Sequence, residues 1–252
     1  MKPTWTAHNI QITQDEFTIG SDRPTMIEDP IFVNTELILK QFYPSVEERK
    51  KARLIDLACL EGGYSVEFAR LGFEVTGVEI RESNLQACNF VKDKVGLDNL
   101  RFVKDNVRNV ERFGEFEIVF CCGILYHLDN PLKMLQSISK VTKKLLILNT
   151  HFSSESDNLT FNLSNLTEHE GFVGRWYPEF DTSKIADREI HRWASWDNDF
   201  SFWPTKYSLM EMLRSNGFEI VFEQYMRNLS NENPLRGGVP NYDRAQFVCV
   251  KV

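Results

Sequence analysis

The sequence lacks the patterns typical of secreted, membrane-spanning and zinc-binding proteins. Its five cysteines include no Cys-x-x-Cys pair and no Cys/His spacing that would suit zinc, so we expect free thiols and no metal site. No stretch approaches the roughly 18 consecutive apolar residues of a transmembrane helix. The segment MKPTWTAHNI has no apolar core of a secretory signal. These absences predict a cytoplasmic protein that does not contact a membrane.

An excess of basic charge is also missing. The chain has 29 Lys and Arg against 36 Asp and Glu, which gives a net charge of −7. Proteins that follow nucleic-acid phosphates usually carry basic patches, so this balance disfavours a nucleic-acid partner and favours a small-molecule substrate. The length of 252 residues and the 42% hydrophobic content suit one large domain with appendages, while the oligomeric state stays open.

The most informative stretch, Arg53 to Ile80, predicts a strand, a glycine turn, a helix and a second strand. The apolar runs 53–58 and 73–78 are typical of buried strands, and Gly62 lies in the turn between them. Glu79 follows the second strand, at the edge where open α/β sheets bind ligands. A turn without a Cβ atom and a carboxylate about 20 residues later suit a nucleoside, although an ordinary α/β turn would also contain glycine.

The rest of the chain continues this alternation. Strands are predicted at 99–105, 116–122 and 144–149, with helices between them, which indicates a doubly wound sheet. Two more strands, 218–225 and 244–252, are joined by a long turn and predict a closing antiparallel hairpin.

Two segments lie outside the alternation. Residues 1–51 predict an N-terminal arm with a short strand at 5–12, followed by a helix that opens at Asp29-Pro30. Residues 152–203 are polar but contain four of the five tryptophans. We expect this segment to be a long loop that acts as a substrate lid on the domain 52–252, and the alternative is an insertion with a small core of its own.

The motif Asp56-Leu57-Ala58-Cys59-Leu60-Glu61-Gly62 resembles the Asp-x-Gly-x-Gly-x-Gly motif of class I S-adenosylmethionine (SAM) methyltransferases. Ala58 and Leu60 replace two of the glycines, and the Leu60 side chain argues against the pyrophosphate of NAD. The element order from about Ala52 onward is also similar to that family. The resemblance implies a Rossmann-like, doubly wound seven-stranded sheet with a C-terminal antiparallel hairpin. Together with the N-terminal arm and the inserted lid after strand five, this is the α/β fold that we expect.

The resemblance also implies that SAM is the cofactor and which residues would hold it. The turn would wrap the methionine part, Glu79 the ribose and Asp105 the adenine, while Asp105 could equally cap the next helix. The residues expected at the cofactor are Asp56, Ala58, Gly62, Glu79, Asp105, Asn106, Cys122 and Gly123.

Three further patterns resemble a subgroup that includes the tRNA uridine carboxymethyltransferase and natural-product or polysaccharide methyltransferases. They are Trp-x-x-His-x-Ile at 5–10, Gly-x-Leu-Tyr-His at 123–127 and Phe-Trp-Pro-Thr at 202–205. The acidic stretch 196–199 and Leu128 stand where the tRNA enzyme is basic. These differences favour plain SAM and a small substrate over carboxy-SAM and RNA.

The resemblance places the reacting centre near the segment after strand four. His127 and His151 are the candidate catalytic bases, because histidine suits proton removal from a hydroxyl. The substrate contacts expected are Tyr126, His169, Arg175, Trp176 and Tyr177. The predicted activity is methyl transfer to a hydroxyl of a sugar, capsule or natural-product precursor. An RNA-modifying (carboxy)methyltransferase and a non-catalytic SAM-binding subunit are the alternatives.

Overall fold

The computed structural model describes residues 3–155, 161–180, 188–225 and 243–252. Within them the chain forms two β-sheets and several helices. The strands are β1 (Arg53–Leu57), β2 (Glu74–Glu79), β3 (Leu100–Lys104), β4 (Phe116–Cys122), β5 (Thr142–His151), β6 (Thr167–His169), β7 (Phe172–Pro178), β8 (Phe200–Pro204), β9 (Phe218–Tyr225) and β10 (Arg244–Lys251). The α-helices are α1 (Pro30–Phe42), α2 (Val46–Lys50), α3 (Gly63–Arg70), α4 (Glu82–Val95), α5 (Pro131–Val141) and α6 (Lys206–Ser215). Short 3₁₀ helices cover Met26–Glu28, Val107–Phe113 and Leu125–His127.

The larger sheet has seven strands in the order β3-β2-β1-β4-β5-β10-β9. Strand β1 pairs in parallel with β2 and with β4, and β2 pairs in parallel with β3. Strand β10 is antiparallel to both β5 and β9. The expected Rossmann-like sheet with an antiparallel C-terminal hairpin is therefore confirmed, and the predicted turn at 226–243 lies almost wholly outside the described residues.

The chain divides into two compact units, Met1–Phe120 and Cys121–Val252. The first contains α1 to α4, β1 to β3 and most of β4. The second contains β5, β9, β10, α5, α6 and the smaller sheet, whose order is β6-β7-β8. The predicted division into residues 1–51 and 52–252 stays a prediction.

The core of the first unit forms where the strands are apolar on both faces. Leu54, Ile55 and Leu57 of β1 are fully buried, as expected for a parallel strand covered on both sides. Phe68 of α3 packs against Phe120 with ring centroids 5.0 Å apart. Each such buried side chain contributes roughly 1.5–3 kcal/mol to the free energy of folding.

The N-terminal arm differs from the expected strand at 5–12. Its β-pairing is limited to an isolated antiparallel bridge between Gln11 and Phe17. The amides of residues 6–8 donate to the carboxylate of Glu61 instead of to a neighbouring strand. The predicted start of α1 is confirmed: the Asp29 side chain accepts hydrogen bonds from the amides of Ile31 and Phe32.

In the second unit, residues 152–203 do not form the long loop that we expected. Together with Pro204 this segment contains β6, β7 and β8, which pair as an antiparallel sheet. Cross-strand aromatic contacts stabilise it, with the rings of Trp176 and Phe202 only 5.2 Å apart. The alternative of an insertion with its own small core describes it better, and the role as a lid stays a prediction. None of the helices in the described ranges is long and apolar enough to cross a membrane.

Candidate functional site

The turn between β1 and α3 adopts left-handed backbone conformation at three alternate positions. Ala58, Leu60 and Gly62 have φ angles of 57°, 52° and 81°. Residues with a Cβ atom enter this region at a cost of roughly 1–2 kcal/mol, which explains why glycine is favoured in such turns. The turn therefore keeps a glycine-type shape although two of the three positions carry side chains.

The two glycines at the end of this turn are required by packing within the chain. A Cβ atom on Gly62 would lie 2.7 Å from the ring of Phe102, and one on Gly63 would lie 2.8 Å from the ring of His8. The amide of Gly63 also donates to Nδ1 of His8 at 3.0 Å. The chain's own rings therefore approach these glycines closely, and the predicted contact of Gly62 with a cofactor stays a prediction.

Glu79 connects the end of β2 to the turn. Its carboxylate accepts hydrogen bonds from the amide of Leu60 at 3.0 Å and from the amide of Arg81 at 2.8 Å. Burial raises the pKa of Glu79, and these amides oppose the rise. A carboxylate offers about four acceptor sites, so beside these amides and the Asn84 side chain Glu79 can still accept a hydrogen bond from a ligand hydroxyl.

Asp56, the first residue of the motif, lies beneath the turn and is buried. Its Oδ2 accepts a hydrogen bond from the Ser65 hydroxyl at 2.6 Å, which links β1 to the first turn of α3. Burial raises the pKa of Asp56 to about 7, the Ser65 bond opposes the rise, and the Glu79 charge adds to it. Its contacts identify it as a support of the turn, and its predicted cofactor contact stays a prediction.

Asp105 and Asn106 follow β3, beside Glu79. The amide of Asp105 donates to the carbonyl of Glu79 at 3.2 Å, so the two acidic residues occupy neighbouring strand ends. The Asp105 carboxylate accepts from Asn109 at 2.7 Å and lies 3.2 Å from Arg112. Asn106, rather than Asp105, caps the following 3₁₀ helix, because its side chain accepts the Arg108 amide.

The expected cofactor residues Cys122 and Gly123 lie near the start of the second unit, where Cys122 ends β4 and Gly123 follows it. Gly123 has a φ of 77°, and its amide donates to the carbonyl of Asn149 at 2.9 Å. Cys122 is partly exposed and is not part of a disulfide among the described residues. Their predicted contact with a cofactor stays a prediction.

An aromatic cluster occupies the second unit. Its members are Tyr126, His151, Phe161, Tyr177 and Trp203. His151 and Tyr177 each stack on Trp203, with centroid distances of 4.8 and 4.9 Å. The Trp203 indole donates to the carbonyl of Tyr126 at 2.7 Å. The structure thus brings three of the predicted site residues together around a tryptophan that the site prediction did not include.

Burial also sets the charge of the titratable groups in this cluster. It raises the pKa values of Tyr126 and Tyr177 and lowers the pKa of His151. All three are therefore favoured in their neutral forms. Nδ1 of His151 lies 3.5 Å from the carboxylate of Asp243, a second residue that the sequence did not indicate.

His127 lies beside the cluster and contacts a buried carboxylate. Its ring is 4.3 Å from that of Tyr126, and its Nδ1 lies 2.9 and 3.0 Å from the two oxygens of Glu179. The Glu179 side chain is 1% exposed and that of His127 is 14% exposed. Sequence reasoning missed Glu179 because the two residues are 52 positions apart and belong to no shared motif.

The other expected substrate residues mainly hold the smaller sheet together. Arg175 is buried and donates to the carbonyls of Ser154, Glu155 and Ser164. His169 lies 2.9 Å from the carbonyl of Asp129 through Nε2. Their direct contact with a substrate stays a prediction.

Trp176 packs on His169 and also faces a cavity. The cavity has a volume of about 620 Å³ and is lined by Asp129, Trp176, Asn198, Asp199 and Phe200. Among the residues that the structure describes, no group of three or more His, Cys, Asp or Glu side chains is arranged to hold a metal ion.

Comparisons with known proteins agree with this architecture. The crystal structure of the N-terminal domain of EvdMO1, in the presence of SAH and D-fucose, is similar with a TM-score of 0.64. The two chains are 22% identical, and their alignment covers 92% of this chain and 84% of the EvdMO1 chain, which shows a shared fold. YqeM of Bacillus subtilis (strain 168) is 32% identical over 112 residues, or 41% of this chain and 44% of that protein.

A ubiquinone biosynthesis O-methyltransferase of Psychrobacter cryohalolentis is 27% identical over 113 residues, covering 41% of this chain and 44% of the enzyme. The chain therefore matches less than half the length of these two relatives. A family model described as a methyltransferase domain matches residues 48–217, which is more than half of the chain. The chain belongs to this methyltransferase domain family.

Proposed function

We propose that this protein is a SAM-dependent methyltransferase that transfers a methyl group to a hydroxyl of a small metabolite. The observation that carries the proposal is the contact between Glu79 and the turn, with Asp105 on the neighbouring strand end. The family match to residues 48–217 supports methyl transfer as the chemistry. The fold neighbour EvdMO1 was crystallised in the presence of SAH, which is consistent with this cofactor class.

The residues near the turn suit a nucleoside that carries no phosphate. Two carboxylates at adjacent strand ends would repel a pyrophosphate, but they accept hydrogen bonds from ribose hydroxyls and from an exocyclic amine. Glu79 would bind the ribose, and Asp105 with Asn106 would bind the adenine. The left-handed turn from Ala58 to Gly62 would wrap the amino-acid part. The cofactor supplies a methyl group bonded to a sulfonium.

Transfer to a hydroxyl requires alignment and a proton acceptor. Alignment is mainly a proximity effect, and the acceptor oxygen bonds to the methyl carbon as the methyl–sulfur bond breaks. His127 would take the hydroxyl proton on Nε2, which has no hydrogen-bond partner among the described residues. His151 is less suited to this role because Trp203 and Tyr126 pack against its ring and burial lowers its pKa.

The acceptor we favour is a polyhydroxylated molecule such as a sugar. The cavity beside β7 combines the rings of Trp176 and Phe200 with the polar side chains of Asp129, Asn198 and Asp199. Aromatic faces pack against the C–H groups of a sugar, while carboxylates and amides accept its hydroxyl protons. The cavity is a pocket that is open to solvent, and its volume of about 620 Å³ exceeds that of a monosaccharide.

Isothermal titration with SAM and S-adenosylhomocysteine tests the cofactor assignment. We expect Glu79→Gln and Asp105→Asn each to weaken binding by about tenfold or more, because a hydrogen bond to a charged group is worth roughly 1.5–3 kcal/mol. Glu74→Gln is the matched control, since Glu74 is an exposed glutamate at the start of the same strand β2. No binding by the folded wild-type protein would contradict the proposal.

Incubation with methyl-labelled SAM tests the acceptor class. The probes are free hexoses, nucleoside-diphosphate hexoses, phenols and bulk tRNA, with labelled products separated by chromatography. Label in a sugar or phenol supports the proposal, whereas label only in tRNA would favour an RNA-modifying enzyme. Binding without transfer to any probe would favour a non-catalytic subunit. Native mass spectrometry of the purified protein distinguishes SAM from the heavier carboxy-SAM.

His127→Ala tests the proposed base. We expect kcat to fall by roughly 10²–10⁴-fold while the Kd for SAM changes little, because general-base catalysis contributes about that much. His191→Ala is the control, since this histidine packs on Phe180 and has no place in the proposed site. Unchanged turnover in the His127 variant would exclude it as the base.

A further inference from the structure

The contact between Glu179 and His127 has the geometry of a carboxylate that orients a histidine. Both carboxylate oxygens lie within 3.0 Å of Nδ1, and the Glu179 side chain is almost completely buried. An ionised carboxylate can only accept hydrogen bonds, so the partner nitrogen must carry a proton. In a neutral imidazole with its proton on Nδ1, Nε2 is left with a free lone pair.

We propose that Glu179 is a positioning residue that holds His127 in the Nδ1–H tautomer and so makes Nε2 the proton acceptor. This inference rests on the proposed function for its catalytic meaning, although the tautomer itself is a property of the folded chain. Glu179 touches no reacting atom in this scheme. It acts through the orientation and protonation of His127.

The surroundings of Glu179 fix the carboxylate as an acceptor. The amide of Ser195 donates to it at 2.9 Å, and the hydroxyl of Ser201 donates to its other oxygen. With His127, three donors from different parts of the second unit converge on one carboxylate. Such convergence restricts the position of the carboxylate and disfavours a rotated side chain, because rotation would leave buried donors without acceptors.

The second histidine–carboxylate pair of this unit is less suited to the same task. The distance from His151 Nδ1 to Asp243 is 3.5 Å, which is long for a hydrogen bond. The His151 side chain is 9% exposed and lies between aromatic rings, whereas that of His127 is 14% exposed. His127 thus combines the shorter carboxylate contact with the more accessible ring.

Among the residues that the structure describes, the other titratable groups near His127 do not provide a competing partner for Nδ1. Tyr126 contacts the His127 ring through its own ring, at a centroid distance of 4.3 Å, and burial raises the pKa of its hydroxyl. His151 affects His127 only through the electrostatic interaction between the two rings. The Arg244 guanidinium lies over the Tyr126 ring, 5.5 Å from its centroid. Glu179 is therefore the group that selects the tautomer.

Glu179→Gln tests this inference because it keeps the size of the side chain and removes its charge. The glutamine amide would donate to Nδ1, so the His127 proton should move to Nε2 and the base should be lost. We expect kcat to fall by roughly 10²–10⁴-fold while the KM values for SAM and for the hexose or phenol that the wild type methylates change by less than about threefold. Glu168→Gln, the same change at an exposed position of β6, is the matched control and should leave both parameters unchanged.

Long-range ¹H–¹⁵N NMR of histidine-labelled protein gives a readout that does not depend on activity. We expect His127 to be protonated on Nδ1 in the wild type and on Nε2 in Glu179→Gln, with the signal assigned by its absence in His127→Ala. Glu179→Asp retains the charge, so it should keep the wild-type tautomer and restore part of kcat.

These measurements separate the inference from the proposed function. An Nδ1–H signal in the wild type supports the inference even if no transfer to a hydroxyl is found, in which case only the proposed function fails. An Nε2–H signal in the wild type, or an unchanged tautomer and kcat in a folded Glu179→Gln variant, would overturn it. If Glu179→Gln does not fold, the inference is tested by the tautomer of the wild type and by the tautomer and kcat of Glu179→Asp.

Discussion

Glu61 accepts a hydrogen bond from the amide of His8 at 2.9 Å, and the His8 ring accepts one from the amide of Gly63 at 3.0 Å. The same carboxylate takes the amides of Thr6 and Ala7 at 2.6 and 3.1 Å. The N-terminal arm and the turn after β1 therefore hold each other in place. Any ligand that binds the turn depends on an arm that lies more than 50 positions away in the chain.

Glu61→Gln should destabilise the fold by about 2 kcal/mol or more. The Glu61 side chain is buried, and glutamine offers one acceptor oxygen where three amides now converge, so at least one of these amides, which form buried or part-buried hydrogen bonds, loses its partner. Urea denaturation followed by circular dichroism measures the free energy of unfolding. Glu74→Gln, at an exposed position, should have the wild-type midpoint. An equal midpoint for both variants would show that the hydrogen bonds between Glu61 and the N-terminal arm do not stabilise the fold.

His8 should make the stability depend on pH below about 6.5. Burial lowers its pKa, and the charges of Glu61 and Asp29 oppose this effect. The unfolded chain then binds a proton more readily than the folded one, so stability is full above pH 6.5 and is lost as the pH falls towards the folded pKa. We expect the stability difference between wild type and His8→Gln to shrink from pH 7.5 to pH 5.5 in thermal melts. A constant difference would contradict the role of neutral His8.

Asp56 should make the stability depend on pH in the direction opposite to that of His8. Burial raises its pKa to about 7, so the folded state binds a proton more readily than the unfolded state, and its contribution falls as pH rises from about 4 to 7. Asp56→Asn keeps an acceptor for the Ser65 hydroxyl and removes the charge. We expect the variant to be more stable than the wild type at pH 8, by roughly 2–4 kcal/mol, and close to it at pH 5. Urea midpoints at the two pH values provide the measurement.

Ala58→Gly should not destabilise the protein, in contrast to the usual effect of this change. The φ of 57° at this position costs Ala roughly 1–2 kcal/mol, which offsets the greater entropy that glycine has in the unfolded chain. Ala58→Val should lose more than about 2 kcal/mol because a β-branched residue is strained there. Ala87→Gly in α4 is the comparison and should lose about 1 kcal/mol. An equal loss of unfolding free energy in Ala58→Gly and Ala87→Gly would contradict backbone strain at Ala58.

The sequence alone predicted the elements whose signals are local. The alternation from Arg53 to Glu79 predicted β1, α3 and β2 to within a residue or two, and Asp29-Pro30 marked the start of α1. The strands at 218–225 and 244–252 and their antiparallel pairing were also predicted. These features follow from hydrophobic period, capping and turn chemistry, which act over a few residues and so are readable in the order of the chain.

The tertiary structure decided the contacts that join distant positions. In each of three contacts a buried carboxylate meets donors that lie 19 to 55 positions away in the chain. They are the contacts of Glu79 with the Leu60 amide, of Glu61 with the N-terminal arm and of Glu179 with His127. The spacing from the turn indicated Glu79 as a ligand residue, but no period or motif predicted any of these hydrogen bonds. A buried carboxylate is stable only where folding delivers donors to it, so its partner is chosen by the packing of the whole unit and becomes known only when the chain is folded.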